Sequence, residues 1–172
     1  MTWPSSLDGD FLERIGAENF ARLVSVEVRE LGHDVVGEVD HDRQRILLAP
    51  LCAANSDQCR RVFCHELAHL VTRGDGHGVR FLAVYATLLK RLHSDACPAY
   101  LVTLYEAQGA LERASEAFAF ASEFARWPVP VELLALFAVN RFGSQQEQQD
   151  LAQSVPRLVD DFNSSCLDAP QQ

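Results

Sequence analysis

Cationic side chains are scarce in this chain: 15 lysines and arginines stand against 24 aspartates and glutamates, for a net charge of -9. Attraction to a phosphate backbone relies on clustered Lys and Arg. The deficit therefore argues against DNA or RNA as a direct partner, and the short basic pairs Arg60-Arg61 and Lys90-Arg91 read as solvated helix faces. Long apolar runs are missing as well. Nothing approaches the ~18–20 residues of a membrane span, and Met1 to Leu12 has neither a basic start nor an apolar stretch. The expectation is a cytoplasmic protein with no membrane partner. Cysteine pairs are also lacking: Cys52, Cys59, Cys64, Cys97 and Cys166 form an odd set without a CxxC spacing, which points away from a zinc ribbon or a disulfide framework. What the chain does have is enough apolar residue, 48% of 172, for one packed core.

Against that background His65-Glu66-Leu67-Ala68-His69 stands out. A helix turns about 100° per residue, so two imidazoles at i and i+4 share one face and can bind a single Zn²⁺. Glu66 lies on the same turn, within reach of a water on that metal, as in the zinc peptidase pattern HExxH. The local sequence favours a helix here. Asn55-Ser56-Asp57 supplies N-cap chemistry, Gly74 supplies a stop, and neither Pro nor Gly intervenes. Phe63, Leu67, Leu70 and Val71 fall opposite the two histidines and would dock on a core. Cys64 points about 100° away from His65 and reads as a buried thiol.

A catalytic zinc needs a third protein ligand and one open position. His77 is the best candidate, eight residues beyond His69 in Gly74-Asp75-Gly76-His77-Gly78, where glycines permit the chain to reverse. A further helix follows directly, with Phe81, Tyr85, Leu88 and Leu92 on one face and His93 capping its end. His33 and His41 occupy polar turns and read as exposed.

The remaining sequence divides in two. Residues 7 to 22 suggest a short helix broken near Gly16; Val24, Val26 and Val28 alternate with polar residues as in a half-buried strand. Residues 35 to 39 and 44 to 49 read as a hairpin around Asp40-His41-Asp42-Arg43. From Pro98 onward the pattern is helical, at about 98–109, 111–126, 131–141 and 145–161, with Trp127-Pro128-Val129-Pro130 and Gly143 as breaks. The glutamines around Glu147 read as a solvated face. The expected class is α+β: a small antiparallel or mixed sheet packed on the HExxH helix, then an all-helical extension. The expected division is 1–109 for the metal domain, 110–163 for the extension and 164–172 for a disordered polar tail.

Taken together, His65-Glu66-Leu67-Ala68-His69 and His77-Gly78-Val79-Arg80-Phe81 resemble the SprT-like zincins, with HExxH followed by HGxxF, and more closely the small bacterial metallohydrolases that share the pattern. The resemblance covers roughly residues 24 to 109. It implies a zincin-like fold, zinc held by His65, His69 and His77, Glu66 as general base, and a sheet edge that can hold an extended peptide or protein substrate. The chain departs from SprT-like proteases in its acidity, its missing ribbon and its helical extension. It departs from metzincins too, since Met1 is its only methionine and a Met-turn is excluded. Glu112 and Glu116 remain alternatives to His77, because gluzincin-type enzymes take a ligand from a downstream helix. Tyr85, Tyr105, Arg73 and Arg80 are candidates for stabilising an oxyanion. An alternative function is a zinc-binding module whose C-terminal helices recruit a protein partner without proteolysis.

Overall fold

The Asp8 side chain accepts the Phe11 backbone N–H at 2.9 Å and so opens α1 (Gly9–Ile15), which Gly16 closes at φ 74°. The computed structural model describes residues 3–93, 101 and 111–151, with side chains left aside at 111 and 112. A 3₁₀ turn at Phe20–Arg22 leads into the strands. These are β1 (Ser25–Val28), β2 (Gly37–Asp40) and β3 (Arg45–Leu48), in the spatial order β1-β3-β2. β1 runs parallel to β3, with Val26 opposite Ile46, and β2 runs antiparallel to it, with Val39 opposite the same residue. The fold is therefore α+β with a mixed sheet.

Position in the sheet explains burial. Ile46, Leu47 and Leu48 of the central strand are almost wholly buried, whereas Val28, at the end of an edge strand, is 42% exposed. Period-2 alternation thus holds for Val24 and Val26 and fails at Val28. Arg45 joins the three strands by ion pairs to Glu27 of β1 at 2.6 Å and Asp40 of β2 at 3.0 Å.

Pro50 starts the short α2 (Pro50–Ala53). The Asn55 side chain then accepts the Gln58 N–H at 3.0 Å, opening α3 (Ser56–Val71), and the chain reverses into α4 (Val79–His93). α3 lies against β2 and β3 on one side and against α4 on the other. Residues 81–89 of α4 are buried without interruption, as expected for a helix surrounded by other elements. Its neighbours are α1, α3, α5 (Leu111–Phe124) and α6 (Val131–Phe142). Ala117 and Phe120 of α5 and Leu134 of α6 belong to the same apolar cluster as Phe63 and Leu67 of α3. Residues 145–151 are helical as well. The helix expected at about 98–109, apart from Leu101, the end of the one expected at 145–161, and the tail 164–172 lie outside the described residues. No described helix is long and apolar enough to cross a membrane.

Arg91 fastens the early and late parts of the chain together. Its guanidinium donates to Ile15 and Val129 carbonyls at 2.7 and 2.9 Å, and to those of Phe124 and Trp127 at 3.3 and 2.8 Å. The ends of α1 and α5 are thereby capped by one side chain. Arg60, expected on a solvated face, instead donates to the Ser6 carbonyl at 2.8 Å and lies over the Phe11 ring. Replacing Arg91 by Met leaves these carbonyls without that donor, so the variant should lose about 2–4 kcal/mol of stability in urea unfolding. A loss below about 0.5 kcal/mol would show that the four bonds contribute little net stability.

Candidate metal centre

Helical periodicity carries His65 and His69 to the same face of α3, where their Nε2 atoms are 3.1 Å apart. His77 arrives from the turn between α3 and α4, in which Gly74 and Gly76 adopt φ of 84° and 57°, values that disfavour other residues. Its Nε2 lies 3.2 Å from that of His69 and 3.4 Å from that of His65. The three sequence-selected histidines thus form a near-equilateral triangle. A neutral imidazole has one N–H donor, and the three Nε2–Nε2 contacts cannot all be well-aligned hydrogen bonds.

This geometry suits a metal. Zn–N bonds of about 2.0–2.1 Å in a tetrahedron place neighbouring nitrogens about 3.3–3.4 Å apart. No other Asp, Glu, His or Cys among the described residues joins the group, so none of them takes the fourth corner. Burial pushes the His65 and His69 pKa values down to about 4, reinforced by the neighbouring histidines. Both rings are therefore neutral near pH 7, the form that binds metal.

Phe81 gives the motif its back wall. It is 2% exposed, stacks on His69 at a centroid distance of 4.2 Å, and meets His65 and His77 edge-on at 5.0 and 4.9 Å. One ring thereby packs against all three imidazoles. Asp75 holds the turn itself by accepting the Phe81 N–H and the Arg80 Nε–H, both at 2.9 Å. Arg80 also pairs with Glu147, whose carboxylate is bonded to the Ser144 backbone and hydroxyl. These bonds and Arg80 hold the Glu147 pKa down at about 2. Glu147 is thus a long-range tie to the ligand loop, rather than part of a solvated face. No sequence periodicity signals a pairing between residues 80 and 147.

Glu66 is 7% exposed and lies beside the glycine that starts β2. A Cβ on Gly37 would come within 2.7 Å of Glu66 Oε1 and 2.5 Å of Val62 Cγ1. Any side chain there would force Val62 or Glu66 to shift. Burial, with Glu38 nearby, raises the Glu66 pKa to about 7. Glu66 and His65 border a cleft of about 480 Å³ whose sides include Val35, Val36 and Gly37 on one hand and Tyr85 on the other. Gly37 is a site residue that the sequence alone did not single out.

The other candidates fall elsewhere. Arg80 is committed to Asp75 and Glu147, and Arg73 is an exposed partner of Asp42 at 3.2 Å. Tyr105 is outside the described residues. Glu116 is exposed on α5 and takes no part in the histidine group; the side chain of Glu112 is not described. His33 is exposed, as expected, whereas His41 is half-buried and depresses the pKa of His69. Cys64 is a buried free thiol whose pKa is strongly raised by burial.

No protein-family model, curated protein or solved structure matches the chain.

The ligand set predicts one zinc per chain by elemental analysis after dialysis, near-complete loss in His77→Ala, and full retention in Glu116→Ala. Zinc retained by the first variant and lost by the second would invert the assignment. Glu147→Gln should weaken zinc binding by about 10-fold, by loosening the turn through Arg80. An unchanged affinity in competition with a chelator would remove Glu147 from the centre.

Proposed function

We propose that the protein is a zinc-dependent metallopeptidase of the SprT-like zincin kind, with zinc held by His65, His69 and His77. The observation that carries this reading is a three-nitrogen site with an open corner next to a buried carboxylate. Other divalent metals also accept imidazole ligands. The HExxH pattern and the tetrahedral spacing favour zinc.

An extended peptide suits the cleft. Ala49 donates its N–H to the Val36 carbonyl at 3.0 Å, so Val36 and Ala49 form a hydrogen-bonded pair of the β2–β3 ladder. By alternation, Glu38 and Asp40 also turn their backbone groups toward β3. Gly37 and Val39 turn theirs to the outer edge, which pairs with no other described strand and where a substrate strand can pair with them. The glycine that makes room for Glu66 thus also offers backbone hydrogen bonds to substrate.

When bound, zinc supplies a Lewis acid toward the scissile carbonyl and lowers the pKa of water to about 7. Glu66 does the proton work. Its partly desolvated carboxylate accepts a proton from the attacking water and returns it to the departing amine. Tyr85, in the wall beside His65, is the sequence-selected oxyanion partner that borders the cleft, and its hydroxyl is assigned to the carbonyl oxygen as charge develops there. Phe81 and the Asp75 turn keep the ligand rings in register while the charge moves.

A zinc-binding module without proteolysis is the second reading. Trp127, Leu133 and Phe137, exposed in and before α6, favour a protein partner for the C-terminal helices. Turnover separates the two.

Glu66→Gln should keep one zinc per chain and lower kcat/KM for peptide cleavage by about 10²–10⁴-fold. Full activity in that variant would end the general-base role, and a zinc-loaded wild type that cleaves no peptide in a diverse library would favour the binding module. Gly37→Ala should likewise keep zinc and lose activity, because its methyl displaces Glu66. Activity equal to wild type would show that the cradle does not position the carboxylate.

A further inference from the structure

Neighbouring arginines on α3 have different fates. Arg60 turns to the N-terminal segment, bonding the Ser6 carbonyl and pairing with Asp8. Arg61 lines the cleft, one helical turn before His65, together with Gln58 and Val62. His65 being neutral near pH 7, Arg61 is the one cation among the described residues lining that cleft, and it makes no ion pair with another described residue. The acidic groups there have other neighbours. Asp34 meets His33 at 2.7 Å, and the Glu66 carboxylate sits beside Gly37. In a chain with net charge -9, a guanidinium that lines the groove and pairs with no carboxylate of the described residues is available to a ligand.

The direction of β2 shows which part of a peptide would meet it. Gly37 lies beside Val62 and Glu66, while Asp42, beyond the other end of the strand, pairs with Arg73. β2 therefore runs alongside α3 in the same sense. A peptide paired antiparallel with β2 runs the opposite way, its N-terminal part toward His41 and its C-terminal part toward Val35, Val36 and Arg61. One helical turn spans about 5.4 Å and an extended chain advances about 3.3 Å per residue. Arg61 then faces the first few residues after the scissile bond.

We propose that Arg61 recognises a carboxylate on the C-terminal side of the cleaved bond, making the protein selective for acidic peptide segments or for peptide C-termini. The assignment rests on the peptidase reading above. An Asp or Glu side chain and a terminal carboxylate offer the same two oxygens to a guanidinium fork.

The test uses the zinc-loaded full chain and one peptide sequence carrying Glu, Gln or Lys at the first and second positions after the cleavage site, each as free acid and as amide. Initial rates should show kcat/KM at least about 10-fold higher for peptides with a carboxylate than for their neutral counterparts. The Glu arm and the free-acid arm tell the two sources apart. Arg61→Gln should erase the ratio, and Arg61→Glu should turn it toward lysine, with zinc content as the check on folding. Binding of the same peptides to Glu66→Gln, followed by fluorescence anisotropy, reads recognition without turnover. Arg61-dependent binding of carboxylate peptides without cleavage by wild type would support the recognition site and defeat the peptidase reading. Cleavage or binding indifferent to the carboxylate, or a preference kept in Arg61→Gln, would overturn the role of Arg61.

Discussion

Imidazole nitrogens held 3.1–3.4 Å apart in a half-buried pocket have no mutual arrangement of protons that satisfies all three contacts. A cation at their centre removes that conflict, and the surrounding residues serve to keep the nitrogens together. α3 sets the first pair by its 3.6-residue turn, Phe81 backs all three rings, and Asp75 fastens the turn that returns His77. The dependence extends far along the chain, because Arg80 joins that turn to Glu147. The histidine triangle and C-terminal packing are in this way parts of one arrangement.

The sheet contributes through its edge. β3 is buried in the middle and anchors the core, which leaves β2 with one ladder satisfied and an outer edge that pairs with no other described strand. Gly37 lies where that edge passes α3. The same missing side chain admits the Glu66 carboxylate and keeps the cleft open along the strand. α4 completes the arrangement from behind, carrying Phe81 and Tyr85 toward the site while its other faces bury α1, α5 and α6 against one core. The candidate site and the core therefore draw on the same helix.

Local rules made much of this legible in the sequence. Asn55 caps α3, the i and i+4 histidines share a face, and the glycine turn brings back His77, because each depends on residues close together in the chain. The β2–β3 hairpin and the helices α5 and α6 follow for the same reason. Val28 shows where alternation stops being informative, since burial depends on what covers the strand rather than on its period. Contacts between distant segments left no such trace. The Arg80–Glu147 pair spans 67 residues, Arg91 reaches the carbonyls of Ile15 and Val129, and Gly37 meets Glu66 only through folding. In each case the residue type looked ordinary and its partner gave it meaning.

The centre itself is most directly tested by anomalous diffraction at the zinc edge from crystals of the zinc-loaded protein. The account predicts one full-occupancy peak about 2.0–2.1 Å from the Nε2 atoms of His65, His69 and His77, with no fourth protein ligand. A peak held by other residues, a fourth side chain closing the site, or no zinc at these three nitrogens would contradict it.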